Sequence, residues 1–271
     1  MTGNSTLKIE ETYMDTSILK SASLAACVLL ATPCHAAEES RLVSYEAFGA
    51  VGDGVHDDLP AIRRAHEHAN THGLPVRSTP DATYHLGRKA LTVVIATGTD
   101  WNTSRFTIDD SAGVEKHKKP LFEVRSLLEP VKLKIDRLER DHKRLDARPE
   151  RDCYVVVTDD RIKRFIRRGL NRNAGTSQRD CFILRRDGSV EGVIDWNYDH
   201  VSRVEAHPID AEKLILKGGV FTTIANRMKQ EVGYNYWGRN IVITRSNTEV
   251  DGLKHHVTGE TAVGHPYSGF I

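Results

Sequence analysis

Residues 42–86 read LVSYEAFGAVGDGVHDDLPAIRRAHEHANTHGLPVRSTPDATYHL, and their punctuation decides the fold class. A short apolar strand, 42–45, runs into Gly49, Gly52 and Gly54, a spacing that demands tight turns or positive φ. Asp57-Asp58 then offers a helix N-cap, and Pro60 fits the first turn. Leu59, Ile62, Ala65 and Ala69 recur at spacings of three and four and make one apolar helical face, which Gly73 ends as a left-handed cap. Short strands at 74–76 and 83–86 flank a Thr79-Pro80-Asp81-Ala82 turn.

Outward from this stretch the chain predicts many short strands. They lie at 91–96, 106–108, 121–124, 154–157, 181–184, 190–194, 214–216, 220–224 and 241–244, with Gly-containing breaks at 187–188, 218–219, 238 and 251–252. The segments 216–223 and 250–258 look alike, and their Gly219 and Gly252 lie 33 residues apart. Short strands at such a spacing fit one coil of a β-solenoid or a sandwich edge. Residues 115–172 differ, holding 18 Lys and Arg against 11 Asp and Glu. Within them 131–135 alternates as a strand does, while 136–146 fits strand and helix equally.

Upstream, residues 21–33 (SASLAACVLLATP) form an uncharged run after Lys20, followed by Cys34-His35-Ala36. That is a secretory signal layout, with Met14 the better natural start and cleavage near Ala36. A buried N-terminal helix would use the same residues. The localisation expected is secreted or periplasmic. Cleavage removes Cys27 and Cys34. Cys153 and Cys181 remain, free to form a disulfide in an oxidising compartment or to serve as small buried apolar residues.

The order FGAVGDGVHDD (48–58), Ala-rich helix, Gly73, strand, Pro80-Asp81-Ala82-Thr83-Tyr84 resembles the N-terminal part of the pectate-lyase superfamily. These are the rhamnogalacturonase- and polygalacturonase-like right-handed parallel β-helix proteins. The likeness covers about 45 residues. It implies an all-β solenoid, a right-handed parallel β-helix whose N-terminal mouth is capped by the helix, shielding an apolar bore and an open edge. It divides the chain into a leader (1–36), cap and first rungs (37–125), a basic insertion (126–212) and further rungs (213–271). The apolar end Gly269-Phe270-Ile271 leads to the expectation of a β-helix truncated at its C-terminus. The resemblance also implies a polysaccharide partner of pectin type, handled by a glycoside hydrolase or a lyase. No nucleic acid is expected at a net charge of +1, nor any membrane span. No cofactor is implied, except that a lyase reading adds Ca2+. The alternative from another class is a non-catalytic β-helix that binds glycan or builds a surface structure, as an adhesin or tailspike does.

Hydrolysis needs two carboxyl groups, whereas elimination needs a base and cationic help for the uronate. Asp251, His256 and Glu260 are the catalytic candidates, with Lys254 sharing the outward face of His256. Asp195, Trp196, Tyr198 and Asp199 are the substrate-binding candidates, because aromatic faces beside carboxylates suit a sugar ring. A solvent-facing rung and a polar turn are the plainer readings of the two clusters. Asn247-Thr248-Glu249, Gly264-His265-Pro266 and Arg161-Ile162-Lys163 look like polygalacturonase motifs but depart from them in residue or order. His66, His68 and His72 read as a solvated helix face and not as metal ligands. The run 161–168 reads as a basic surface helix with Phe165 and Ile166 inward.

Overall fold

The computed structural model describes residues 42–165, 175–225, 238–260 and 269–271. The expected leader, Cys27, Cys34 and the 264–266 motif lie outside them. The described chain is mostly β-structure with one α-helix. It begins with a 3-10 turn at Glu46–Phe48, strand β1 (Asp53–Asp57) and helix α1 (Leu59–His72). Then come β2 (Val76–Arg77), β3 (Thr83–Leu86), β4 (Val93–Ile95), β5 (Thr99–Asp100), β6 (Arg105–Asp109) and β7 (Phe122–Val124). Four longer-range strands follow, β8 (Cys153–Arg164), β9 (Thr176–Leu184), β10 (Val190–Glu191) and β11 (Arg203–Pro208). The chain returns to short strands in β12 (Leu214–Lys217), β13 (Val220–Ile224), β14 (Ile241–Ile243), β15 (Thr248–Asp251) and β16 (Lys254–Thr258).

The pairing gives three parallel sheets: sheet I in the order β15-β12-β5-β2, sheet II β1-β3-β6-β13-β16, and sheet III β14-β7-β4. From β2 the chain visits sheets I, II and III in that order, twice, and after β11 takes up the same order again. Register shifts between β1 and β3 but is kept from β3 through β6 and β13 to β16, so Tyr84, Phe106, Phe221 and His255 form one inward row across sheet II. Phe106 and Phe221 stack at 4.5 Å and 11°, Tyr84 lies 5.2 Å from Phe106, and Trp101 meets Phe221 edge-on at 5.1 Å. Beyond the row Phe270 stacks on His255 at 3.8 Å. Period-two alternation drives this, since every second residue of β3, β4, β6, β7 and β12 is apolar and shares one core.

Helix α1 buries Leu59, Ala61, Ile62, Ala65, His66 and Ala69. It lies over β4, the edge strand of sheet III. Its Asn70 donates to the Val94 carbonyl at 2.8 Å and accepts from the Ala96 amide at 2.9 Å, satisfying groups that an open edge leaves unpaired. Gly73 takes φ 65° and ends the helix as the sequence predicts. His66 departs from the expected solvated face. It is fully buried, and the Tyr45 hydroxyl, itself accepting from Trp101 Nε1 at 2.9 Å, lies 3.0 Å from its Nε2.

Asp58 also departs from expectation. It stands at the N-cap position, but its carboxylate makes no cap bond. Instead it accepts from the amides of Val51 (2.7 Å), Gly52 (3.3 Å) and His85 (3.4 Å), knotting the glycine loop to sheet II. Asp57 supplies the helix bond, accepting from Leu59 N at 3.2 Å. Gly52 and Gly54 do take positive φ, yet 53–57 is a strand and not a turn.

Between β7 and β12 lies sheet IV, antiparallel, in the order β10-β9-β8-β11. It has its own core of Cys153, Val155, Val157, Phe182, Leu184 and Ala206, overlaid by Ile135, Leu138, Leu145, Ile194 and Tyr198. The undecided 136–146 forms neither element but makes single bridges, Leu138 to Tyr198 and Arg144 to Ser189. The described part of the basic run is strand through Arg164 and not helix, because β8 pairs there with Thr176 and Ser177 of β9, while Ile166 and the rest of the run to 168 lie outside the described residues. Phe165 is 66% exposed instead of inward. No Cys153–Cys181 disulfide forms: Cys153 pairs with Leu184 and faces the core, while Cys181 pairs with Val156 and faces out. Among the described residues no helix is long and apolar enough to cross a membrane.

Candidate functional site

The outward side chains of sheet II form rows running from strand to strand. One row is Thr83, Arg105, Val220 and Lys254, with Asp53 paired to Thr83. The next is His85, Thr107, Thr222 and His256, with Asp57 paired to His85. At strand spacings of 4.7–4.9 Å, five strands make a strip about 19 Å long. It is polar except at Val220, carries Arg105 and Lys254 along it and Asp53 and Asp57 at its β1 end, with exposed His256 at its β16 end.

At its other end the strip opens into a cleft of about 640 Å3 lined by Asp57, His85, Gly87, Arg88, Lys89 and Glu115. Its parts are held by backbone. The Gly87 amide donates to Asp57 Oδ1 at 2.9 Å, and a Cβ at residue 87 would lie 2.2 Å from Asp57 Oδ2, so any larger residue would displace that carboxylate. Glu115 accepts from the Ala90 amide at 2.7 Å. Behind the cleft Arg239, nearly buried, donates to the carbonyls of Leu86 (3.2 Å) and Gly87 (2.7 Å) and lies 3.3 Å from Asp110 Oδ1. Burial pushes the Asp110 carboxyl up to about 6, with Arg239 opposing and Asp109 adding to the rise. Burial also acts upward on Asp109, but the Ser111 bonds, His85 and Arg88 hold it below the ordinary value. The arrangement offers two anchored carboxylates, Asp57 and Glu115, an imidazole and two cations around one open space.

The sequence-derived catalytic residues fall on two faces. Asp251 ends β15, and the register of sheet I sets it in a row of alternating charge with Lys217, Asp100 and Arg77. His256 faces out from sheet II, and exposed Glu260 follows β16. Burial lowers the pKa of neighbouring His255, which faces the other way and contacts Thr223 Oγ1 at 2.9 Å. Thr248 and Glu249 belong to β15, where Glu249 pairs with Lys213 at 2.7 Å.

Asp195, Trp196, Tyr198 and Asp199 lie on sheet IV's side of the chain. Tyr198 is 1% exposed and packs inward, so it presents no face to a ligand. The Trp196 amide donates to Asp180 at 3.2 Å, and its ring, 40% exposed, is covered by the Arg164 guanidinium at 3.8 Å. Asp195 and Asp199 are exposed.

No family model matches the chain, and no curated protein matches it. Solved structures similar to it include the tailspike protein gp49 from Pseudomonas phage LKA1, with a TM-score of 0.42 and 15% identity over 67% of this chain and 34% of that one. Another is the Gp54 tailspike of Acinetobacter baumannii bacteriophage AP22 in complex with A. baumannii capsular saccharide, with a TM-score of 0.44 and 10% identity over 88% of this chain and 40% of that one. The chain spans two fifths or less of the length of either.

The cleft residues His85, Gly87, Arg88, Lys89 and Glu115 were not singled out from sequence. His85 was legible in principle, as an outward position of the alternating strand Thr83–Leu86. Gly87 and Arg239 were not, because their roles come from contacts across 30 and 152 residues.

Proposed function

We propose that the three parallel sheets wind as a right-handed parallel β-helix, exported from its cell, that binds acidic polysaccharide along the outer face of sheet II. The observation that carries this is the 19 Å polar strip, with Arg105 and Lys254 along it and Arg88 and Lys89 in the cleft at its end. An extended glycan matches a ladder better than a closed pocket does, and carboxylates on the sugar meet cations spaced along the face. The resemblance of residues 48–84 to the pectate-lyase superfamily supports the same substrate class.

A second reading, cleavage at the cleft, is favoured by His85 lying among Arg88, Lys89 and the anchored Asp57. A uronate carboxylate held by the cations would acidify the adjacent C–H. An imidazole base would take that proton while the C–O bond to the leaving sugar breaks, giving an unsaturated product without water. His256 extends the strip, whereas Asp251 and Glu260 bear on neither reading unless the substrate crosses a corner.

The test is affinity electrophoresis in polygalacturonate and other pectic and capsular polysaccharides, with ultraviolet absorbance following elimination and reducing ends following hydrolysis. Retardation that weakens in Lys254→Ala and Arg105→Ala supports binding. Retardation without product restricts the protein to the adhesin- or tailspike-like role. Absence of retardation by any acidic polysaccharide overturns the proposal.

A further inference from the structure

Sheet IV carries an outward row that neither core uses. Tyr154 sits in register between Ile183 of β9 and His207 of β11, and the alternation that buries Cys153 and Val155 turns it out, 44% exposed. Across from this row lie Arg125, which follows β7, and Ile243, which ends β14. With Leu127, itself 60% exposed, they enclose about 840 Å3. That is the size of a small-molecule site, and it lies where such sites concentrate, between two separately cored bodies.

The floor is rigid. Arg245 Nε lies 3.4 Å from Asp210 Oδ1, and both side chains are nine-tenths buried. Ser126 donates to Asp210 Oδ1 at 2.9 Å, and Ser246 to Oδ2 at 3.0 Å. Residue 126 leaves the parallel sheets, 210 returns to them and 246 belongs to them, so this network fixes both walls to each other. Arg245 is thereby satisfied, whereas the exposed Arg125 guanidinium has no carboxylate partner among the described residues.

We propose that this cleft binds a short acidic saccharide, with one pyranose ring laid on Tyr154 and its carboxylate on Arg125. A flat aromatic ring with apolar neighbours suits the C–H face of a sugar, while His207 and Arg125 supply polar contacts at opposite rims. The ligand class rests on the reading of sheet II, but the site is separate from it.

Calorimetric titration of the whole chain with trigalacturonate, with neutral maltotriose as control, tests this. Trigalacturonate should bind and maltotriose should not. Tyr154→Ala and Arg125→Gln should each weaken binding about tenfold, a change of about 1.4 kcal/mol. Tyr154→Phe, which keeps the ring, should retain binding, and melting curves should stay unchanged because both side chains are exposed. Lys254→Ala should leave trisaccharide binding intact while weakening polymer retention, which separates the two sites. No trigalacturonate binding, or binding indifferent to both Tyr154 and Arg125, overturns the inference.

Discussion

The parallel sheets and sheet IV solve the same problem with different geometry. In the parallel sheets the strands are two to five residues long, because the chain must turn a corner before reaching the next sheet. No strand there is stable alone, and each inward residue is held by the residues above and below it in its row. Sheet IV uses strands of 12 and 9 residues, β8 and β9, paired antiparallel along their length. Its surface carries exposed ion pairs such as Arg144–Asp187 and Arg203–Glu205, which water and salt screen. The parallel sheets instead contain a nearly buried pair, Arg239–Asp110, and a second, Arg245–Asp210, joins them to the end of β11. Stability in the first region is thus shared along rows, and in the second it is local to one sheet and its cover.

The widest separation between the two regions should come from their cores. Phe106→Ala removes a ring stacked on Tyr84 and Phe221 and met by Trp101. It should cost about 3–5 kcal/mol, the usual range for a buried aromatic. Hydrogen exchange should rise across β3, β6 and β13 together, since the row joins them. Phe182→Ala in sheet IV should raise exchange in β8 and β9 and leave β6 protected. Equal loss of protection in both regions from either variant would make the chain one cooperative unit and end the comparison.

A comparable effect belongs to Asp58, which serves three amides of the parallel region and none of sheet IV. Asp58→Ala leaves Val51 and Gly52 without acceptors and should destabilise by roughly 2–6 kcal/mol at about 1–3 kcal/mol per stranded group. Asp57→Ala also releases the Gly87 amide, so it should reduce glycan retention in addition. If Asp58→Ala melts like the unaltered protein, the carboxylate knot is not structural.

These variants mark what the sequence exposed and what it hid. Helix α1, its Gly73 cap and most of the short strands were legible, because each depends on spacing within a few residues. Strand β1 was hidden by its glycines, which signal turns locally but here allow a strand to pass close to Thr83. Strand β11 was hidden by its charges and Pro208, which sheet IV tolerates because β11 is an edge. The cleft was hidden because its members come from separate passes of the chain and meet only through register. Tyr198 misled because an aromatic beside two carboxylates looks exposed in sequence, whereas a single bridge to Leu138 turns it into the core.

Two buried groups in the parallel region give it a pH response with opposite signs. Burial lowers His66 from 6.5 to about 3, so below pH 6.5 the unfolded chain takes a proton that the folded one refuses, and stability falls as pH falls. At pH 4 this amounts to roughly 3 kcal/mol. Asp110, raised from 3.8 to about 6, holds its proton in the folded state first, so its contribution is present below 3.8 and lost as pH rises through 6. At pH 4 it returns roughly 2 kcal/mol. The two should offset between pH 6 and 4, leaving the unaltered protein with a nearly flat contribution from this pair. Denaturant titrations of His66→Phe should show stability gaining on the unaltered protein as pH falls. Asp110→Asn should show the reverse. Parallel pH profiles for all three proteins would remove both groups from the response.

The smallest effect should come from the cysteines of sheet IV. Cys153 and Cys181 sit on paired strands, but three residues apart in register and on opposite faces. Adjacent strands would have to slip by an odd number of residues to bring the sulfurs to one side. That slip would turn outward either Val155 and Val157 of β8 or Phe182 and Leu184 of β9. Losing two buried apolar side chains, at about 1.5–3 kcal/mol each, outweighs the 2–4 kcal/mol a disulfide typically contributes. The dithiol form should therefore persist even under oxidising conditions. Melting with and without reductant should coincide, and Cys181→Ser should shift stability by less than about 0.5 kcal/mol as an exposed substitution. Cys153→Ser, which puts a hydroxyl into the sheet IV core, should cost more. A cross-linked pair of peptides holding Cys153 and Cys181 after air oxidation would mean that sheet IV pairs in another register than the one that builds its core.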